Sequence, residues 1–393
     1  MNNLVIDLTH GGVKIAISLA KKGKNVLAYD LYNTLKGIDA KMLEVYGVEL
    51  IQLDELSDFK GDMNVIYPIH MPLRFDEIKS FNPNLNWTFQ SHHEIIGEIL
   101  KDWGDGIPKI EITGVKGKTS SAFMLKEILI DENPLILSSL GAFLYENKEE
   151  IVLKKDISIA PANIKKTVDL AYKIANPICK IAEGTVVSEN LRKYNSAIFE
   201  SSLGVSGIGD VGLLLNIVED YPIAKGRSTA SEAKKQVFRC KCVCIQKEAL
   251  DEYYSDIQHE TTNTFSLTDH TANLFVDNAE YDLDQTRLEI AYNNIKTING
   301  NVSSGKIKLK TFAPGPHHVS NVLGVILTCL SLEIKPEKII KGLGNYKGIP
   351  GRTTKKTIEN STIIEEINPG LNTEAINESI NMIQNLKDYY ISI

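Results

Sequence analysis

Residues 113–121, TGVKGKTSS, lie between an apolar run and a helical pattern, and this arrangement decides the fold. Residues 110–112, two isoleucines around Glu111, predict a short strand, and residues 121–130 predict an amphipathic helix. A glycine-rich loop that leads from a strand into a helix points backbone N–H groups and a helix N-terminus at one spot. Such a loop binds nucleotide phosphates, with Lys118 beside them and a hydroxyl near Mg²⁺. The stretch therefore predicts an ATP site in an α/β protein with a parallel sheet.

The loop departs at one position from the strict phosphate-loop pattern, G-x-x-x-x-G-K-[ST]. Ile112 occupies the place of the first glycine. An ordinary strand-to-helix turn would also be rich in glycine, so a purely structural role is the alternative. The strand before the loop, the helix after it and the hydroxyls behind Lys118 favour nucleotide binding. We expect contacts to the nucleotide from Thr113, Gly114, Lys116, Gly117, Lys118, Thr119 and Ser120.

The composition limits the class of protein. The chain has 393 residues, of which 43% are hydrophobic and 24% charged, and this predicts a soluble protein of two or three domains. A net charge of −7 argues against a nucleic-acid partner. No apolar run reaches the roughly 20 residues that a membrane-spanning helix needs, so we expect no membrane partner and a cytoplasmic location.

Five cysteines occur without the spacing of a disulfide framework or a zinc site. Cys240, Cys242 and Cys244 alternate in RCKCVCIQ, which predicts a strand with all three on one face. We interpret them as small apolar residues of a reduced core, with metal or redox work as the alternative.

The first hundred residues alternate between strand and helix patterns. Apolar runs at 4–8 and 25–29 flank a helical pattern at 13–22, and a further strand is predicted at 64–67. A strand–helix–strand unit of this kind builds parallel sheet through a right-handed crossover. We therefore expect a Rossmann-like N-terminal domain.

Loops at the strand ends of this domain carry the candidate ligand-binding residues. Asp30 is suited to a ribose hydroxyl, but the first turn has only the Gly11-Gly12 pair instead of G-x-G-x-x-G, so we do not favour a nicotinamide cofactor. Two prolines frame His70 in the loop 68–72. Open α/β sheets bind ligands at such strand ends.

Pattern changes along the chain divide it into three expected domains, 1–106, 107–349 and 350–393. The central domain combines the phosphate loop and parallel sheet with short β-rich runs at 237–310. The last domain has a strand at 361–364, a helix at 373–386 and the start of a strand at 389–393. So short a piece makes a poor domain by itself. We expect a truncated domain, with docking onto the central domain as the alternative.

Three charged residues outside the phosphate loop are candidates for chemistry. Glu200 follows the predicted strand 195–199, where a carboxylate can hold Mg²⁺, although the two serines after it are equally suited to capping a helix. Lys234 belongs to a basic run that composition alone assigns to a solvated helix face. Arg352 ends the sequence GIPGR, which is typical of a hinge whose arginine reaches a phosphate.

The order of these motifs resembles the Mur ligase family over about residues 107–370. The resemblance rests on residues 113–119, 200–202, 216, 219–220, 234, 317–321 and 350–352. It implies a Mur ligase-like α/β fold with an N-terminal Rossmann-like substrate domain. A central P-loop ATPase domain, with a parallel sheet plus a small β-rich part, would follow. A C-terminal Rossmann-like domain, partial here, would end the chain.

The same resemblance implies an ATP-dependent ligase. The γ-phosphate of ATP would pass to a substrate carboxylate, giving an acyl phosphate and ADP, and a nucleophile would then displace phosphate. Lys118 would neutralise charge on the phosphates, and Thr119 and Glu200 would hold Mg²⁺. ATP and Mg²⁺ are thus the expected cofactors.

Three further residues take roles from the resemblance. Lys234 is the candidate for the carbamylated lysine that supplies a second metal ligand in many family members. Asn321 is similar to the asparagine on the nucleotide side, and Arg352 to the hinge arginine that meets ATP. Tyr221 stands where the family usually has histidine, and its side chain is a poor Mg²⁺ ligand. A second metal is therefore less expected here.

Within the family, residues 7–12 and 366–373 look most like the archaeal branch found in methanogens. That branch implies a nickel-containing tetrapyrrole carboxylate as substrate, with a ring carbon as nucleophile and a C–C bond in the product. His10, Gly11, Gly12 and His70 would face it, although a merely structural loop role is equally compatible with the histidines. An amide ligase of pseudomurein or another archaeal peptide is the alternative enzyme. A P-loop NTPase regulator that ligates nothing is the alternative class.

Overall fold

Two large sheets organise the molecule, a computed structural model that describes residues 1–175, 193–358, 361–366 and 380. The strands of the N-terminal sheet are β1 (Asn2–Ile6), β2 (Asn25–Tyr29), β3 (Glu49–Leu50), β4 (Asp62–Tyr67) and β5 (Asn86–Ser91). Their order is β3-β2-β1-β4-β5 and every pair is parallel, which confirms the α/β prediction. The accompanying helices are α1 (Val13–Lys21), α2 (Gly37–Val45), α3 (Phe75–Ser80) and α4 (His92–Leu100).

The second sheet contains the phosphate loop. Its strands are β6 (Lys109–Thr113), β7 (Pro134–Ser138), β8 (Gly141–Glu146), β9 (Glu149–Lys154), β10 (Ser196–Glu200), β11 (Val211–Leu214), β14 (Cys242–Gln246), β15 (Thr262–Ser266), β16 (Leu274–Glu280), β17 (Thr286–Lys296) and β18 (Val302–Thr311). Between them in the chain, β12 (Pro222–Ile223) and β13 (Ser228–Thr229) form a separate antiparallel pair. The helices of this region are α5 (Lys118–Leu129), α6 (Pro161–Ala175), α7 (Ala230–Lys234), α8 (Lys247–Tyr253), α9 (Pro316–Ser331) and α10 (Pro336–Asn345).

The strand order places β6 in the interior of this sheet, between β11 and β10. The order is β18-β17-β16-β15-β14-β11-β6-β10-β7-β8-β9. Pairing is parallel from β16 through β7 and antiparallel at both edges. The carboxyl ends of β6, β7, β10 and β11 therefore lie along one edge, where open α/β sheets bind ligands.

Helix α9 forms the centre of the core behind this edge. It is buried from His318 to Ser331, as a helix that is apolar on all sides must be. A Cβ on Gly324 would lie 3.1 Å from the side chains of Leu215 and Phe265, so the helix packs tightly on the sheet. It begins at Pro316, because proline is well tolerated in the first helical turn. Asn321 consequently projects from the second turn.

The two sheets share one apolar cluster. Val5 from β1 and Ile95 from α4 are buried together with Leu135 from β7 and Phe199 from β10. Helix α4 packs against α6 beside this cluster. Hydrophobic burial thus fixes the N-terminal sheet against the phosphate-binding sheet, and the loops at their strand ends meet.

The prediction that three alternating cysteines share one face of a strand is wrong for Cys240. The strand β14 begins at Cys242, and Cys240 ends a short 3₁₀ turn at Lys235–Arg239. Alternation applies only within an extended strand, so Cys240 packs with Val205 and Val237 while Cys242 and Cys244 join the core around α9. The four described cysteines are buried thiols without a disulfide, which agrees with the reduced-core interpretation.

The last described strands form an antiparallel hairpin, β19 (Thr353–Ile358) and β20 (Ser361–Glu366). The second was predicted at 361–364, whereas the first was missed. The predicted helix at 373–386 (apart from residue 380, a single described position) and the strand at 389–393 lie outside the described residues. Among the residues that are described, no helix is long and apolar enough to cross a membrane.

Candidate active site

The phosphate loop occupies the turn from β6 into α5. Gly114 (φ 145°) and Gly117 (φ 84°) adopt backbone conformations that favour glycine. A Cβ on Gly117 would lie 2.0 Å from Oδ1 of Asn321, and one on Gly114 would lie 3.1 Å from Cβ of Leu215. Both glycines are therefore required by the close approach of neighbouring residues, and the loop brings Asn321 to its edge.

Helix α5 begins at Lys118, three residues earlier than predicted. Thr119 and Ser120 consequently lie in its first turn, whose free backbone N–H groups attract anions. Nζ of Lys118 donates to the carbonyls of Gly114 (3.0 Å) and Val115 (3.3 Å), so the side chain folds back over its own loop. Burial lowers the pKa of Lys118, the charge of Glu200 opposes this, and the charge of Arg352 adds to it.

Asn216 holds the other side of the loop. It follows β11, and its Oδ1 accepts a hydrogen bond from the backbone N–H of Lys116 (3.0 Å). Its Nδ2 donates to the Lys116 carbonyl (3.1 Å), so both ends of the amide are used. Thr113 is buried at the end of β6, where its hydroxyl has no hydrogen-bond partner among the described residues.

Glu200 and Thr119 meet beside the loop. Glu200 ends β10 and is 2% exposed, and Oγ1 of Thr119 lies 3.1 Å from both of its carboxylate oxygens. The backbone N–H of Ser139 donates to the same carboxylate (2.9 Å), and the Ser139 hydroxyl lies 2.9 Å from that of Thr119. A buried carboxylate flanked by hydroxyl oxygens is the donor set that Mg²⁺ prefers, so these residues fit the ion.

Ser139 was missed by the sequence analysis, although one feature pointed to it. It follows β7, which pairs in parallel with β10, so its position is equivalent to that of the residues after Glu200. Nη2 of Arg352 donates to its hydroxyl (2.9 Å) across a sequence separation of 213 residues. The structure thus brings Arg352, Thr119 and Glu200 to one place.

Lys234 ends α7 and is completely buried. Nζ donates to the Ser202 carbonyl (2.9 Å) and lies 5.7 Å from the centre of the Tyr221 ring. Burial lowers the pKa of Lys234 to about 7, with the charge of Lys118 adding to this and that of Asp220 opposing it. A large share of the amine is therefore uncharged at neutral pH, in contrast to a solvated lysine.

The turn after β1 brings the predicted histidines of the N-terminal sheet together. Asp7 adopts a left-handed backbone conformation (φ 70°), and its Oδ1 accepts from the N–H groups of Thr9 (2.9 Å) and His10 (3.3 Å). Its Oδ2 accepts from Nδ1 of His10 (2.6 Å) and lies 3.7 Å from Nε2 of His70. Burial would raise the pKa of Asp7, but hydrogen bonds to His70 and His10 hold it at about 2.

Gly11 and Gly12 shape this turn. A Cβ on Gly11 (φ 106°) would lie 2.6 Å from Cβ of Ala162, and one on Gly12 would lie 2.2 Å from the Asp7 carbonyl oxygen. The first glycine lets the turn pack against α6, and the second lets it close on Asp7. Asp7 itself was not among the predicted substrate residues, although its place directly after β1 marked it.

A cavity of about 320 Å³ lies where the two sheets meet. The N-terminal sheet contributes His10, Pro68, Ile69, His70, His92 and His93, and the second sheet contributes Ser158, Ile159, Ala160, Pro161, Ser202 and Leu203. Its wall thus includes the Ser202 whose carbonyl holds Lys234. Because residues 200–203 are consecutive, the Glu200 carboxylate and the cavity are joined by one short segment.

His92 and His93 were missed by the sequence analysis, although they directly follow β5. Nε2 of His92 lies 3.1 Å from the Ile6 carbonyl oxygen, and Nε2 of His93 lies 3.4 Å from the Ser201 hydroxyl. Burial lowers the pKa of His92 to about 4 and that of His93 to about 3. The cavity is therefore bounded by two neutral imidazoles at pH 7.

Comparison with known proteins finds similar sequences and a similar fold. Residues 355–393 match a family model described as the C-terminal domain of the coenzyme F430 synthetase CfbE. A coenzyme F(430) synthetase of Methanosarcina acetivorans is 32% identical over 59% of this chain and 46% of its own length. A coenzyme F(430) synthetase of Methanocaldococcus jannaschii is 28% identical over 96% of this chain and 79% of its own length.

Among solved structures, MurF from Acinetobacter baumannii superposes with a TM-score of 0.51 at 15% identity, over 81% of this chain and 61% of that one. That likeness concerns the fold, which is a Mur ligase fold. In fold, the chain is similar to the Mur ligases. In sequence, it is similar to the two coenzyme F(430) synthetases, and its last residues match the C-terminal model of that family.

Proposed function

We propose that the chain is an ATP-dependent ligase that activates a substrate carboxylate as an acyl phosphate. One observation carries this proposal: the phosphate loop with Glu200 and Arg352 adjoins the cavity through the continuous segment 200–203. A carboxylate in the cavity would then lie next to the γ-phosphate of bound ATP. Transfer of that phosphoryl group requires proximity and charge neutralisation more than covalent help from the protein.

The residues around the loop would have different roles in phosphoryl transfer. Lys118 and the N-terminus of α5 would hold the phosphates, and Arg352 would approach from beside Ser139. Thr119 and Glu200 would hold Mg²⁺, which neutralises charge on the transferring phosphoryl group. Asn321, beside Gly117, would border the nucleotide.

Lys234 is proposed to work as a carbamate. An uncharged amine adds CO₂ and releases a proton, and the lowered pKa of about 7 keeps much of Lys234 in that form. The product would be a buried anion between Ser202 and the phosphate loop, where it could coordinate a metal ion. Tyr221, whose ring faces Nζ, cannot replace the missing histidine ligand.

The substrate is proposed to be the nickel seco-F430 acid, with closure of its carbocyclic ring as the reaction. The two named methanogen relatives and the matched family model support this choice. A propionate side chain would take the γ-phosphoryl group, and a ring carbon would lose a proton and attack the acyl carbon. A C–C bond would form, the bond from the acyl carbon to the phosphate oxygen would break, and ADP and phosphate would be released.

The test is ADP release from Mg-ATP and nickel seco-F430 acid, with and without added amino acids. We expect turnover with the tetrapyrrole alone, reduced at least about a hundredfold in Lys118→Ala because the phosphates lose their buried cation. ADP release that requires an amine and another carboxylate would instead indicate an amide ligase of the pseudomurein type. ATP hydrolysis indifferent to both would indicate a regulatory NTPase.

We infer domains at 1–106, 107–349 and 350–393, supported by the end of the first sheet at Ser91 and the start of the second at Lys109. Limited proteolysis should cut first near residues 101–108 and 346–352; early cleavage elsewhere would revise the boundaries. A cytoplasmic location is proposed from the composition alone.

A further inference from the structure

Three ligand-type side chains converge at the rim of the cavity. The ligand atoms of Asp7, His10 and His70 all lie within 4.8 Å of one another. Oδ2 of Asp7 is 2.6 Å from Nδ1 of His10 and 3.7 Å from Nε2 of His70, and the two imidazole nitrogens are 3.4 Å apart. Among the described residues, this is the one group of three or more such side chains with that spacing.

The separations suit a shared metal ion. Ligand atoms bound at about 2.1 Å, with angles between 90° and 109°, lie roughly 3.0–3.4 Å from one another. Of the three observed distances, 2.6 Å lies below this range, 3.7 Å lies above it and 3.4 Å is at its upper limit. Small rotations of His10 and His70 about a fixed carboxylate would therefore be sufficient to coordinate an ion.

Asp7 is held ready for this role. Its Oδ1 is occupied by the backbone N–H groups of Thr9 and His10, which leaves Oδ2 directed at the imidazoles. The Asp7 side chain is 0% exposed, whereas those of His10 and His70 are 49% and 33% exposed. An ion can therefore reach the imidazoles from solvent and meet a carboxylate that is already oriented, as supporting hydrogen bonds orient metal ligands in general.

We propose that Asp7 Oδ2, His10 Nδ1 and His70 Nε2 coordinate a divalent transition-metal ion of the Zn²⁺, Ni²⁺ or Co²⁺ class. Two imidazoles and one carboxylate select such borderline ions over Mg²⁺ and Ca²⁺, which prefer oxygen ligands throughout. Three protein ligands leave coordination positions open. On the cavity side, an open position can accept a further ligand, as at catalytic sites rather than closed structural ones.

A metal ion could reach these side chains from two sources, as a free ion or as the central metal of a macrocycle. A free ion would use all three protein ligands. A metal at the centre of a planar macrocycle presents only an axial position to this rim, so it would take a single imidazole. Binding of a macrocycle rests on the proposed function, whereas binding of a free ion does not.

The first test is titration of the tag-free full chain with Co²⁺ and Ni²⁺, followed by calorimetry and by the visible absorption of bound Co²⁺. We expect one ion per chain, with affinity falling at least about tenfold in His10→Ala, His70→Ala and Asp7→Asn. His270→Ala is the matched control, because it removes an exposed histidine stacked on Phe275, away from the rim. Thermal melting without metal checks that each variant folds. If His70→Ala does not fold, His70→Gln takes its place.

The second arm uses the nickel seco-acid and its absorption spectrum. Axial ligation predicts a spectral change that one of His10→Ala and His70→Ala abolishes and the other keeps. One free ion per chain, bound by all three side chains, supports the proposal, and an axial contact through one imidazole without free-ion binding would reject the three-ligand site. Equal binding of Co²⁺, Ni²⁺ and the macrocycle by the wild type and the His10→Ala/His70→Ala double variant would overturn it.

Failure here is distinguishable from failure of the proposed ligase activity. Metal titration needs no ATP, and Lys118→Ala should bind the ion as the wild type does, because Lys118 begins helix α5 at the phosphate loop of the other sheet. Metal binding without ADP release would reject the ligase proposal alone. ADP release with no metal or axial contact would reject the metal site alone.

Discussion

The phosphate loop and the turn after β1 are built alike but favour ligands of opposite charge. Both follow a parallel strand, contain two glycines and lead into a helix. In the first, Lys118 and a helix N-terminus attract anions. In the second, the buried Asp7 carboxylate faces two imidazoles, which attracts cations. A few side chains therefore decide what a strand–turn–helix edge binds, while the backbone supplies only the concave frame.

The glycines of the two edges offer the sharpest way to separate them. In Gly117→Ala, the new Cβ would meet Oδ1 of Asn321 at 2.0 Å, at a φ of 84° that strains an L residue. We expect kcat/KM for ATP to fall about a hundredfold or more, because the loop must shift by more than the fit of phosphates tolerates. Metal binding at Asp7 should be unchanged.

The matched control is Gly226→Ala, which carries a similar φ of 79° with no atom within 4 Å of the new Cβ. It tests backbone strain without a clash and should keep nearly full activity. Gly12→Ala should do the converse, that is, weaken metal binding at Asp7 and leave kcat/KM for ATP unchanged. Its Cβ would lie 2.2 Å from the Asp7 carbonyl oxygen. If Gly117→Ala and Gly226→Ala lost ATP turnover equally, the close approach to Asn321 would not be what the loop requires.

Glu111 connects the two edges by fixing the loop that follows the segment 200–203. Its fully buried carboxylate accepts hydrogen bonds from the N–H and hydroxyl of Ser206 and the N–H groups of Gly207 and Gly209, between 2.7 and 3.1 Å. Glu111→Gln weakens these charge-assisted bonds and forces an amide N–H₂ toward other donors. We expect a loss of about 2–3 kcal/mol in the free energy of unfolding.

Denaturant unfolding measures this loss, and Glu149→Gln, an exposed carboxylate on β9, is the control expected to change little. The KM for the cavity substrate should rise in Glu111→Gln even where the protein remains folded, because Ser202 and Leu203 precede the released loop. A variant as stable as the wild type would show that the loop is held by its own packing.

The two sites also differ in how many of their residues could be predicted from the sequence. Alternating strand and helix patterns predicted both parallel sheets, and local chemistry predicted Lys118 and Thr119, because phosphate loops are contiguous in sequence. Ser139, Asp7 and His93 were missed because each contacts residues that only the strand order brings near it. Cys240 was misassigned because the start of β14 depends on a preceding 3₁₀ turn, which periodicity does not reveal. Parallel strand ends converge in space, so residues directly after predicted strands deserve equal weight as site candidates.

His93 lies in the wall shared by both edges, and it provides the smallest predicted effect. Burial holds the pKa of His93 at about 3, against an ordinary value of 6.5, so between these values the unfolded chain binds a proton that the folded one does not. The free energy of unfolding therefore decreases as the pH falls from 6.5, by up to about 1.4 kcal/mol per pH unit from this group. In His93→Gln that contribution disappears, and the slope between pH 6.5 and 4.5 should be shallower by that amount. His92 keeps its own contribution, because its pKa of about 4 is lowered by the same burial.

The chosen window isolates the buried histidines. Asp7 changes the free energy of unfolding with pH only below its ordinary pKa of 3.8. Lys234 does so only above its folded pKa of about 7. Urea midpoints at half-unit pH steps would give the slope, with His270→Gln as the control because that imidazole is exposed. An unchanged slope in His93→Gln would mean that water or a rotated side chain solvates the imidazolium in the folded protein. The cavity wall would then be accessible to protons. The low-dielectric surroundings that strengthen electrostatic interactions at the phosphate loop and at Asp7 would not extend to His93.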